Sequence, residues 1–152
     1  MKRIISIILT ILVMTYVAVF PASADVKMYR KNGYLYTIKD KEVLLINYYG
    51  KESNVKVPSK IDGKKVYKIG LDYEDDSDIL EEYYEDATGL GFSRNKYVKK
   101  ITIPDGISKL GLFVFEDCKN LNTVVFGKGI TQIGGDFGGC TKLKNVTLPS
   151  TL

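Results

Sequence analysis

Three stretches decide the fold: Val98-Lys99-Lys100-Ile101-Thr102-Ile103-Pro104-Asp105-Gly106-Ile107, Leu121-Asn122-Thr123-Val124-Val125-Phe126-Gly127-Lys128-Gly129-Ile130 and Leu143-Lys144-Asn145-Val146-Thr147-Leu148-Pro149-Ser150-Thr151-Leu152. They start 23 and 22 residues apart, and apolar residues match at every apolar position. The agreement continues between them: Leu110-Gly111 matches Ile133-Gly134, Phe115 matches Phe137, and Cys118 matches Cys140. Upstream, Phe92 and Asn95 lie 23 residues before Phe115 and Cys118, and Val55-Lys56-Val57-Pro58 lies two periods, 46 residues, before Ile101-Thr102-Ile103-Pro104. A unit this short cannot bury its own apolar face, so each must stack on its neighbour. The apolar residues at the first, fourth and sixth positions are predicted to point into a core with Phe115 and Phe137. Each short strand should pair in parallel with its equivalent about 4.8 Å away.

The pattern resembles the BspA-like leucine-rich repeats of exported and surface proteins. The resemblance rests on the Ile/Val-x-Ile-Pro strand and on the Ile-Gly step at Ile69-Gly70 and Ile133-Gly134. It rests too on the Phe-x-x-Cys-x-x-Leu run at Phe115–Leu121 and Phe137–Leu143. It covers about residues 43–152, and Val57–Val66 looks like the longer opening repeat of that family. It implies a leucine-rich-repeat solenoid, mainly β, with short parallel strands stacked in rungs. It also implies a non-enzymatic protein that adheres to host proteins, other cells or matrix.

Ahead of the repeats, Tyr34–Ile38 and Glu42–Tyr49 are rich in β-formers and are separated by Lys39-Asp40-Lys41. This predicts a β-hairpin, with residues 25–50 capping the first rung and residues 51–152 forming the repeats, the last incomplete. Met1-Lys2-Arg3, the uncharged run Ile4–Phe20 and Pro21-Ala22-Ser23-Ala24 have the layout of a secretory signal. Cleavage after Ala24 is expected, giving a secreted or cell-surface product with no membrane segment once the signal is removed. An uncleaved anchor is the alternative, because 17 uncharged, mostly apolar residues lie at the lower limit for spanning a bilayer.

The 152 residues include no histidine, which excludes Ser-His-Asp and Cys-His catalysis and histidine-ligated metals. The net charge of only +4 argues against a nucleic-acid partner. No cofactor is expected. Cys118 and Cys140, with Asn95 one unit earlier, are expected to be structural turn residues, and a Cys118–Cys140 bridge stays open as an alternative.

An insertion at about residues 71–88 places nine acids between Asp72 and Asp86. Three readings remain: a solvated acidic loop or short helix, a weak cation site using Asp72, Glu74, Asp76 and Asp78, or a dock for a basic partner. An EF-hand loop begun at Asp72 fails, since Ser77 stands where glycine is needed and Tyr83 where glutamate is needed. No spacing sets two of these acids across a cleft for glycoside hydrolysis.

Stacked strands should present Lys99, Lys100 and Thr102, then Asn122, Thr123 and Val125, then Lys144, Asn145 and Thr147 on a concave face. Solenoids bind partners on such arrays, so this is the expected site for a protein or cell-surface ligand. A solvated strand face would use the same residue types. Two alternative roles remain: self-association through the C-terminal repeat, as a structural subunit or a truncated remnant, and a calcium-dependent module built on the acidic insertion.

Overall fold

The computed structural model describes residues 26–83, 90–134 and 137–152. The expected signal segment, residues 1–24, lies outside the described residues, as do Glu85 and Asp86 of the acidic insertion.

The repeat register read from the sequence is the register of a sheet. β4 (Asn54–Lys56), β7 (Lys100–Thr102), β9 (Thr123–Val125) and β11 (Asn145–Thr147) form a four-stranded parallel sheet in the order β11-β9-β7-β4. Val55, Ile101, Val124 and Val146 lie in one row, and the first three are buried. Each such burial contributes about 1.5–3 kcal/mol, which a three-residue strand standing alone could not obtain. Val146 and Leu148 stay 37% and 58% exposed, because no described rung stacks beyond β11.

A second sheet holds the return strands. β6 (Lys64–Ile69), β8 (Lys109–Leu110) and β10 (Gln132–Ile133) pair in parallel, one per rung. β3 (Glu42–Tyr48) joins β6 in parallel, while β2 (Tyr34–Lys39) and β1 (Tyr29–Lys31) extend the sheet antiparallel beyond it. The expected hairpin, β2–β3, is therefore the second part of a three-stranded meander that extends the second sheet. The β2–β3 turn has positive φ at Asp40 and Lys41, the backbone twist that lets a two-residue turn close a hairpin.

Two further hairpin turns escaped the sequence reading. Asn32-Gly33 joins β1 to β2, and Asp62-Gly63 joins β5 (Lys60–Ile61) to β6, with positive φ at all four residues. Asn-Gly and Asp-Gly are the dipeptides that meet this demand most cheaply, so both turns were announced by a known signal.

Between the sheets runs an aromatic ladder, one ring per rung. Tyr34 meets Tyr48 at 4.8 Å between centroids, Tyr48 meets Phe92 at 5.2 Å, Phe92 meets Phe115 at 6.3 Å and Phe115 meets Phe137 at 4.9 Å. Tyr48 thus takes the phenylalanine position, and β3 acts as the rung before the first repeat. Burial, and next the Glu52 carboxylate, push the Tyr48 phenol up to about 12.

Strand β3 is buried on both sides. Val43 and Leu45 face the inter-sheet core, while Leu44 and Ile46 join Leu35, Leu71 and Ile79 in a second cluster. Leu71 and Ile79 come from the acidic insertion, whose helix α1 (Ser77–Tyr83) roofs the outer side of the second sheet. The short helix agrees with the sequence reading, but full solvation does not hold, because Leu71, Asp76 and Ile79 are buried. The segment is amphipathic, with apolar residues that cover a sheet face which would otherwise meet water.

Candidate binding face

The outward positions of the four-stranded sheet build two columns. Asn54, Lys100, Thr123 and Asn145 align in one, and Lys56, Thr102, Val125 and Thr147 in the other. Strand alternation dictates this, since an inward central residue sends both its neighbours outward. Lys100, Asn145 and Thr147 are exposed, while Thr102, Thr123 and Val125 are half-buried by their neighbours in the column.

Lys99, Asn122 and Lys144 precede the strands and are joined by backbone bonds. The Asn122 N–H donates to Lys99 O at 2.8 Å, and the Lys144 N–H donates to Asn122 O at 3.0 Å. All nine residues named from the sequence therefore lie on or beside one face. Asn54 and Lys56 of β4 were missed. The two-period offset of Val55-Lys56-Val57-Pro58 pointed to them, because it put that strand next in the ladder.

The charge is segregated. Residues 89–152 carry nine lysines and arginines against four acids, whereas residues 70–88 carry nine acids and no cation. Among the described acids, several are already engaged by lysines of the second sheet. Lys68, on β6, is 1% exposed and bonds both Asp72 and Asp76, the latter fully buried. Its place follows from a β-bulge: pairing steps from Val43–Val66 to Leu44–Lys68, so Tyr67 is the extra residue and Lys68 falls opposite outward-facing Leu44.

Around this pair, Asp76 Oδ2 accepts the Asp72 N–H at 3.1 Å, Lys39 lies 3.5 Å from Asp76, and Lys109 lies 2.9 Å from Asp75. Burial works to raise the Asp72 carboxyl, yet the bonds from Lys68 and the Asp75 N–H outweigh it and hold the group below its ordinary value. Of the proposed cation ligands, then, Asp72 and Asp76 share a lysine ammonium, Asp78 lies 3.8 Å from Lys39, and Glu74 is exposed to solvent. Among the described residues no cluster of three metal-ligating side chains is present.

Asn95, Cys118 and Cys140 repeat one hydrogen bond rung by rung. Asn95 Nδ2 donates to Tyr48 O at 3.4 Å and Gly50 O at 3.0 Å, while Cys118 and Cys140 donate to Phe92 O and Phe115 O, each at 2.9 Å. Each donor binds the carbonyl of the aromatic residue one rung earlier. Both cysteines are buried and no disulfide joins them, and burial followed by nearby Cys140 pushes Cys118 up to about 12.

With this geometry in view, residues 89–152 match the family described as "BspA type Leucine rich repeat region (6 copies)". Residues 89–152 carry BspA-type leucine-rich repeats. Solved structures agree on the fold. A leucine-rich repeat protein of Bacteroides capillosus ATCC 29799 aligns with TM-score 0.61 and 17% identity, covering 82% of this chain and 84% of that one. The T. pallidum leucine-rich repeat protein aligns with TM-score 0.57 and 18% identity over 81% of this chain and 50% of that one. A leucine-rich cell surface protein of Faecalibacterium prausnitzii A2-165 gives TM-score 0.55 and 19% identity over 84% of this chain and 34% of its own. This chain therefore spans half or less of two of these three proteins. No curated protein matches it in sequence. Among the described residues, no helix is long and apolar enough to cross a membrane.

Proposed function

We propose that this BspA-type protein is exported, non-enzymatic, and binds a protein or cell-surface ligand through the outer face of its four-stranded sheet. Residues 1–24 direct export with cleavage after Ala24, residues 25–50 form the cap, and residues 51–152 form the repeats that carry the face. One observation supports this above the others: two side-chain columns run uninterrupted across all four strands, with Lys, Thr and Asn outward and every buried row beneath them apolar. Val125, at the centre, adds the apolar contact that a desolvated interface core needs.

The test is biolayer interferometry of residues 25–152 against a panel of matrix and bacterial surface proteins, with Val125→Arg alongside. A ligand bound about tenfold more weakly by the variant, at unchanged thermal midpoint, supports the reading. A ligand bound equally by both, or no ligand in the panel, counts against it.

A second reading is favoured by Val146 and Leu148, which are exposed although their counterparts Val124 and Phe126 are buried. This face suits self-association by rung stacking. Light scattering across a concentration series should then show growth in molar mass that Val146→Lys abolishes.

A further inference from the structure

We infer that the free edge of β4 is a docking strip for an extended acidic segment of a protein partner. The inference rests on the binding-protein reading and names the chemistry of the partner. β4 ends its sheet and, among the described residues, pairs only with β7. The Lys100 N–H donates to Ser53 O and the Val57 N–H to Thr102 O, both at 3.0 Å, so Ser53 and Val57 turn their backbone groups toward β7. Alternation along a strand then turns the N–H and C=O groups of Asn54 and Lys56 the other way, to the open side. Unpaired strand edges of this kind accept an added strand.

The edge adjoins a groove of about 400 Å³ whose lining includes Lys31, Tyr34, Glu52, Lys56, Lys60 and Asp62. Of its two acids, Asp62 pairs with Lys31, while Glu52 accepts the Tyr48 hydroxyl at 3.2 Å and keeps its charge, so three lysines face two carboxylates and the groove is net positive by one. Lys56 and Lys60 have no carboxylate partner among the described residues, and Lys100 follows on the next strand. A chain laid against β4 therefore meets a net positive edge, with Lys56, Lys60 and Lys100 against the one carboxylate of Glu52 that has no lysine partner, beside open backbone donors and acceptors. The cations select acidic side chains, and the backbone groups select a polypeptide over an anionic polysaccharide, which has no ladder to offer.

Fluorescence anisotropy with a fluorescein-labelled hexapeptide of alternating glutamate and valine tests this. Controls are the lysine–valine peptide and a backbone N-methylated copy, and the proteins are wild type, Lys56→Glu/Lys60→Glu and Val125→Arg. The expected result is saturable binding of the acidic peptide, about tenfold weaker for the double charge reversal and weaker again for the N-methylated copy. Equal binding of acidic and basic peptides, or no effect of the double reversal, overturns the inference. Undiminished binding of the N-methylated copy overturns strand addition and leaves charge capture alone. Loss only with Val125→Arg overturns the edge site while leaving the binding-face reading intact.

Discussion

Replacing Lys68 by methionine removes the cation that two carboxylates share in a nearly solvent-free site. Lys68 and Asp76 each have side chains 1% exposed, and Asp72 is 21% exposed. Methionine keeps most of the volume, so the loss is electrostatic. Asp76 retains the Asp72 N–H at 3.1 Å and Lys39 at 3.5 Å, which satisfy it in part. Breaking a buried pair by removing one partner costs about 3–5 kcal/mol. A domain of this size has a total stability of about 5–15 kcal/mol, so Lys68→Met should consume a fifth or more of it.

Urea unfolding followed by circular dichroism reads this directly as a drop in midpoint at constant slope. The double variant Lys68→Met/Asp76→Leu should recover most of the loss, because an apolar pair has no stranded charge. In the wild type, Asp72 has a lowered folded value. Its contribution is therefore present above the ordinary carboxylate range, near pH 4, and is lost as the pH falls through the folded value. Lys68→Met should show the opposite trend at first, since a protonated carboxyl is cheaper to bury than a carboxylate. A cost below about 1 kcal/mol at neutral pH, or a double variant no better than the single one, would refute the claim that Lys68 anchors the insertion.

The ladder predicts unequal costs for equivalent rings. Phe115→Ala, fully buried between two rings, should lose about 3–5 kcal/mol, and Phe137→Ala, half-buried in the same stack, clearly less by the same urea assay. Cys118 and Cys140 should resist Ellman's reagent until the protein is unfolded. Because burial raises Cys118 to about 12, its contribution is complete below the unfolded thiol value near 8.5 and declines as the pH rises from there toward 12, an effect Cys118→Ala should remove. At Gly127 a Cβ would lie 2.6 Å from Pro104 O of the rung below, so Gly127→Ala should destabilise by more than about 2 kcal/mol. At Gly63 nothing lies within 4 Å, and only the positive φ is strained, so Gly63→Ala should cost about 1 kcal/mol by thermal melting. Calcium at millimolar level should leave the thermal midpoint unchanged, because the Lys68 ammonium lies between Asp72 and Asp76; a rise reversed by chelator would contradict that reading.

The strands at Lys100–Thr102, Thr123–Val125 and Asn145–Thr147 were legible because repetition reports on tertiary structure: residues one period apart must occupy equivalent places in neighbouring rungs. The same logic exposed the Asn95–Cys118–Cys140 column before any hydrogen bond was known. Legibility ended where the period is broken. The insertion has no counterpart in other rungs, and its composition, dominated by acids, hid the role of Leu71 and Ile79 in covering β3. Lys68 was invisible for another reason. A one-residue bulge at Tyr67 decides which face the lysine takes, and bulges have no compositional signature. Strand β1 and the β5–β6 hairpin were within reach, since Asn32-Gly33 and Asp62-Gly63 mark their turns. On the outer face of the four-stranded sheet, alternation decides which residues point outward, but Lys, Thr and Asn suit water as well as a partner.

The account turns on whether a partner occupies the outer face of the four-stranded sheet. Lysine footprinting by reductive methylation, with the BspA-type chain free and saturated with a protein ligand from the panel, tests that most directly. Occupation of this face predicts that Lys56, Lys99, Lys100 and Lys144 lose reactivity on binding while Lys27, ahead of β1, and Lys41, in the β2–β3 turn, keep theirs. Protection of Lys27 and Lys41 with the face lysines still reactive would contradict it.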